Sequence, residues 1–188
     1  MKVKRFALIL AIVFIAAGCN RAAIPAETNS VEQPAMQAEE TSTVDFSSVN
    51  STYKFSGKID ADWKVEYIPS VESINIYNPA IEGKTSLEQS QIFIRYFRAN
   101  DFLTLSTVDI LSREEANVAN HPAVRYEIKK KAGVANFPNQ PSWRSGQHKL
   151  IDIRLSATNP SLFYVIAYNP DLDSNIFEEF ISSLEFEE

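Results

Sequence analysis

LFYVIAYNPDLDSNIFEEFISSLEF, residues 162–186, changes its hydrophobic period once, at Pro170. Leu162 to Tyr168 is apolar at nearly every position and is bounded by Pro160 and Pro170. A short run of this kind reads as a strand buried on both faces. Beyond Asp171–Ser174 the apolar residues Ile176, Phe177, Phe180, Ile181 and Leu184 fall at helical spacing, with Glu178, Glu179 and Ser182 turned away. That stripe predicts a helix lying on a sheet. Asp171, Asp173 and Ser174 supply capping oxygens and negative charge at its start. A covered strand followed by an amphipathic helix is the signature of an α+β domain.

Working outward, most other segments alternate with a period of two. WKVEY puts Trp63, Val65 and Tyr67 on one face, and SINIY resumes the alternation after Pro69. QIFIRYFR carries large apolar groups on both faces, Ile92, Ile94 and Tyr96 against Phe93 and Phe97, which predicts a central strand. VRYEIKK places Val124, Tyr126 and Ile128 inward and Arg125, Glu127 and Lys129 outward. KLIDIRLSA places Ile151, Ile153 and Leu155 inward, with Asp152 and Arg154 outward. Half-buried strands joined by short turns predict an antiparallel sheet. A second, shorter helix is predicted near Phe102–Leu111, where Leu103, Leu105, Val108 and Leu111 form an apolar face. Residues 131–147 hold Gly133, Pro138, Pro141 and Gly146 and read as a long loop or wide hairpin.

The order W-x-V-x-Y, then strands, then NVANHPAVRYEIKK, then the 162–186 stretch with its closing Ser183, Leu184 and Phe186 resembles the PsbP/Mog1-like fold over residues 53–187. The resemblance implies an antiparallel β-sheet flanked by helices in an αβα sandwich, and a habit of acting as a binding or assembly module. It brings no site with it, since neither metal ligands nor GTPase-contacting residues match. Asn120 stands where such domains usually have a turn glycine, and asparagine tolerates the left-handed conformation that such a turn needs.

The first residues point to an address. MKVKR is followed by FALILAIVFIAA, too short to cross a bilayer, which takes roughly 20 apolar residues. A basic start, a short apolar run and small residues describe a secretory signal. Ala16, Ala17, Gly18 and Cys19 resemble the lipobox of bacterial lipoproteins, in which the cysteine thiol is diacylglycerated and becomes the first mature residue. The resemblance implies a lipid-modified, palmitate-bearing Cys19, and two or three acyl chains suffice for stable anchoring. Asn20 in the second mature position implies the outer membrane, facing the periplasm, in a double-membrane bacterium, and otherwise the outer face of the cell membrane. The expected organisation is a signal peptide at 1–18, a lipidated cysteine with a disordered acidic tether at 19–50, and one α+β domain at 51–188. The tether is rich in Ala, Glu, Ser, Thr and Pro and cannot bury enough surface to order itself.

Charge narrows the partners. The formal net charge of −6 becomes −9 once Lys2, Lys4 and Arg5 leave with the signal, and residues 51–188 retain about −5. An acidic domain does not suit nucleic acid, whose affinity rests on neutralising phosphates. Only two histidines are present, His121 and His148, with no cysteine or acid at ligand spacing, so no metal or other cofactor is expected and both are read as solvated turn residues. DLDSN opens like a calcium loop, but Ile176 and Ser182 stand where Gly and Glu belong, which leaves helix capping. Ser112, Ser142 and Ser145 lack a nucleophile elbow, and the adjacent Glu114 and Glu115 point to opposite faces of a strand. Phe137 and Trp143, two aromatics in a polar, proline-rich loop, are the candidate partner-binding residues, the competing role being a lid on the core. The reading is a non-enzymatic envelope module with a membrane anchor and an unidentified envelope protein partner. The alternative is a small-molecule-binding or enzymatic domain with a pocket between the sheet and the 131–147 loop.

Overall fold

The computed structural model describes residues 40–99, 106–156 and 161–187. Their elements run β1 (Thr41–Asp45), β2 (Phe55–Asp60), β3 (Lys64–Ile68), β4 (Ser73–Tyr77), β5 (Ser90–Arg98), β6 (Val108–Val118), β7 (His121–Lys130), β8 (Gln147–Arg154), β9 (Leu162–Tyr168), α1 (Ser174–Ser182) and β10 (Glu185–Phe186). Seven strands form a sheet in the order β3-β4-β5-β9-β8-β7-β6, and β1-β2-β10 form a smaller one. Every strand pair is antiparallel. The LFYVIAY strand, β9, lies at the centre of the large sheet between β5 and β8, which is why its sequence is apolar on both sides.

One face of the large sheet carries the main core. Ile74, Ile76, Ile92, Ile94, Ile151, Ile153 and Ile166 meet Phe46 and Phe55 of the small-sheet layer and Phe177, Phe180, Ile181 and Leu184 of the helical segment. The helix begins as its sequence predicts, with the Asp173 carboxylate accepting from the Asn175 N–H at 2.9 Å. Gly57 lets β2 approach it: a Cβ there would stand 3.0 Å from Leu184 Cδ2 and 3.2 Å from Phe180 Cε2.

The opposite face carries a smaller core of Phe97, Val108, Ile128, Leu150, Phe163, Val165 and Ala167, against which Trp143 packs. This layer comes from the 131–146 segment with its short 3-10 turn at Ser142–Ser145, so among the described residues a single α-helix flanks the sheet. The helix expected at 102–111 is not formed where it can be seen. Residues 100–105 lie outside the described residues, and Val108–Leu111 open the edge strand β6, leaving Ile110 43% and Leu111 49% exposed. Non-local pairing decides this outcome: Val108, Asp109 and Ile110 pair with Lys130, Lys129 and Ile128. The register is fixed at the other end by a two-residue turn in which Ala119 and Asn120 both take positive φ, 47° and 67°. Such a turn matches the twist of a hairpin, and Asn120 fills the position that the sequence offered it.

Three further expectations are corrected. The tether does not extend to residue 50: Thr41–Asp45 pairs along β2, and Phe46 is fully buried. Its alternation TSTVD is too polar to announce a strand, and only the β2 partner supplies the reason to form one. Asp152 does not face solvent, and Arg125 is only partly exposed. Arg125 reaches Glu178 on α1, and Asp152 is fully buried beside Arg154 at 2.6 Å. His148 is not a solvated turn residue; it is 2% exposed. The common cause is that layers pack on both faces of the large sheet away from its β6 edge, so part of the polar half of an alternating strand is enclosed as well.

Candidate functional site

The two loop aromatics reach different places. The Trp143 indole N–H donates to the Ser90 carbonyl at 3.1 Å, and its ring meets His148 edge-on at 5.7 Å. It is half-buried and packs against the smaller core. Phe137 is also half-buried but does not join that cluster, so the structure does not bring the two rings together. Beside Trp143, Arg144 is 2% exposed with its guanidinium 5.7 Å from the Phe93 ring centroid. Burial, and then the nearby charge of Arg95, pull Arg144 down to about 9. Burial, and then Arg144, pull His148 down to about 4, so its imidazole is neutral at pH 7. Trp143 and Arg144 therefore occupy space between loop and sheet.

A different region is open. Residues 50–54 lead from the Phe46–Ser48 turn into β2 and are held against the large sheet by two phenols. Tyr164 donates to the Thr52 carbonyl at 2.8 Å and accepts from the Lys54 N–H at 3.0 Å. Tyr53 donates to the Glu72 carbonyl at 2.7 Å and stacks on Tyr164 with centroids 5.6 Å apart. Burial pushes Tyr164 up to about 12 and Tyr53 higher still, so both stay neutral donors at physiological pH. Two adjoining hollows flank this segment and share Thr52, Tyr96 and Arg98. The first, of about 350 Å³, is completed by Tyr53, Tyr67 and Glu72. The second, of about 420 Å³, adds Lys54, His121, Leu155, Leu162, Phe186 and Glu187 among its lining residues. These volumes lie in the range of small-molecule sites.

Aromatic surfaces and cations meet there. The Arg98 guanidinium lies 5.7 Å from the Tyr96 ring centroid, and the His121 ring meets Phe186 at 4.6 Å, edge to face. Among the described residues, neither Lys54 nor Arg98 forms an ion pair; the three pairs are Arg113–Glu115, Arg125–Glu178 and Arg154–Asp152. Sequence reasoning missed this region because its residues come from the 50–54 segment, β5, β7, β9 and the C-terminal strand, with no shared local pattern. One signal was available in STYKF, where Tyr53 and Phe55 follow a polar segment and prove to be core residues. Cys19 lies outside the described residues. Among those that are described, no helix is long and apolar enough to cross a membrane, and no cluster of His, Cys, Asp and Glu is placed to hold a metal ion.

No family model matches the chain, and no curated protein does. Among solved structures, the chain is similar to the solution structure of the cyanobacterial PsbP protein CyanoP from Synechocystis, at 10% identity and a TM-score of 0.47, covering 81% of this chain and 96% of that one. A crystal structure from Bacteroides thetaiotaomicron is similar at 13% identity and a TM-score of 0.30, covering 73% of this chain and 46% of that one.

Proposed function

We propose that this protein is a lipid-anchored component of a bacterial cell envelope, and that its PsbP/Mog1-like domain is a non-catalytic binding module working through the cleft around Tyr96 and Arg98. The N-terminal signal with its lipobox-like Ala16–Cys19 supports the address. The observation that carries the binding role is the pair of adjoining hollows, whose walls combine aromatic rings with cations that form no ion pair among the described residues, while the phenols of Tyr53 and Tyr164 are committed to backbone carbonyls. Groups held in this way shape and orient; they are not poised for proton transfer to a ligand. The alternative pocket beneath the 131–147 loop would require a ligand to displace Trp143 and Arg144, whereas none of the described residues fills the cleft.

Two measurements test this reading. Cys19→Ser should abolish palmitate incorporation and move the protein from the membrane fraction; retention of both would exclude the lipobox. For the binding role, a photocrosslinking residue at Thr52, compared with one at Asn139 in the loop, should form a specific adduct in intact cells. An adduct formed at Asn139 alone would move the site to the loop.

A further inference from the structure

We infer that the cleft selects a small organic acid, with its carboxylate held by Lys54 and Arg98 and its apolar or planar body laid against Leu155, Leu162 and Phe186. This rests on the cleft being a binding site and adds the chemical class of its ligand. The domain is acidic, about −5 over residues 51–188, so a hollow whose described lining sets the two cations Lys54 and Arg98 against one carboxylate, that of Glu187, runs against the background charge. Glu72 lines the first hollow and stands outside the second, which marks the second as the end that receives the acid group. A guanidinium stacked near Tyr96 is held at one side of the site while its N–H groups stay available to a carboxylate, the geometry in which arginine recognises planar anions. The remaining lining, Leu155, Leu162 and Phe186, is apolar and suits a hydrocarbon or ring beside that acid.

The test uses the full chain in detergent micelles, with backbone amide shifts recorded against phenylacetate, phenylacetamide and acetate. Phenylacetate should shift the amides of Thr52, Arg98 and His121, and phenylacetamide should bind about tenfold more weakly, as expected when a charge-assisted contact is lost. Acetate should be weaker than phenylacetate because it lacks the apolar body. Replacing both cations, Lys54→Met with Arg98→Met, should erase the preference for acid over amide without lowering the melting temperature, since both side chains are exposed. Equal binding of phenylacetate and phenylacetamide in the cleft would overturn the acid class and leave the binding site standing. No shift at cleft residues with any of the three probes would overturn both.

Discussion

Arg125 on β7 and Glu178 on α1 form a two-pronged ion pair, Nη1 to Oε1 at 2.5 Å and Nη2 to Oε2 at 2.7 Å. It links the large sheet to the helix over a sequence separation of 53 residues. The side chains are 34% and 47% exposed, so water and salt screen the attraction. A double-mutant cycle with Arg125→Ala and Glu178→Ala, followed by urea unfolding, should give a coupling of no more than about 1 kcal/mol that shrinks in high salt. A larger, salt-insensitive coupling would mean that the pair is shielded from solvent.

The Tyr164 hydroxyl has a heavier role because two backbone groups of the 52–54 segment depend on it. Tyr164→Phe keeps the ring stacked on Tyr53 but leaves the Thr52 carbonyl and the Lys54 N–H without that partner. The expected loss is about 1–3 kcal/mol, with faster amide exchange at Lys54. Unchanged exchange there would show that the phenol does not hold the cleft wall.

Trp143→Ala should destabilise the domain by about 3 kcal/mol, as expected when a large ring is removed from a packed face. Trp143→Phe should cost less, because the Ser90 carbonyl also accepts from Asn169 Nδ2 at 3.3 Å. Full stability of the alanine variant would return Trp143 to the role of an exposed partner anchor.

The elements read most clearly from the sequence are those whose local pattern and tertiary role agree. The β9–α1 stretch is one, since its apolar run is central and its stripe does face the core. VRYEIKK is only half of one. Tyr126 and Ile128 pack against the smaller core as alternation predicts, but Arg125, though partly exposed, is paired with a helix residue. Alternation reports which residues share a face, and only the neighbouring layers decide whether the polar face is wet. Asp152 and His148 are buried for that reason. The cleft was harder still, since Thr52, Tyr96, His121 and Phe186 meet only after the strand order is known.

His148 gives a pH dependence of known sign. Its folded value of about 4 lies below the ordinary value of 6.5, chiefly because burial disfavours the charged imidazolium. Between those limits the unfolded chain binds more protons than the folded one, so stability is fully present above about pH 6.5 and falls as the pH drops toward 4. The loss amounts to about 3 kcal/mol. Urea midpoints measured from pH 7.5 to 4 should fall across that window, and His148→Gln should flatten the acid slope. An unaltered slope in the variant would assign the acid sensitivity to other groups.

Phe46 tests where the domain begins. It is fully buried, its ring centroid 4.8 Å from that of Phe55 and 6.2 Å from that of Phe180, and β1 ahead of it pairs with β2 from Thr41 to Asp45. Removing residues 1–39 therefore deletes no part of the described fold, whereas starting the chain at Ser51 removes a strand and a core aromatic together. Phe46→Ala alone should cost about 3–5 kcal/mol. A protein starting at Glu40 should unfold with the same midpoint as the longer chain, and one starting at Ser51 should lose a comparable or larger amount of stability. Equal midpoints for the two truncations would restore the boundary at residue 50 and make Thr41–Ser48 part of the spacer.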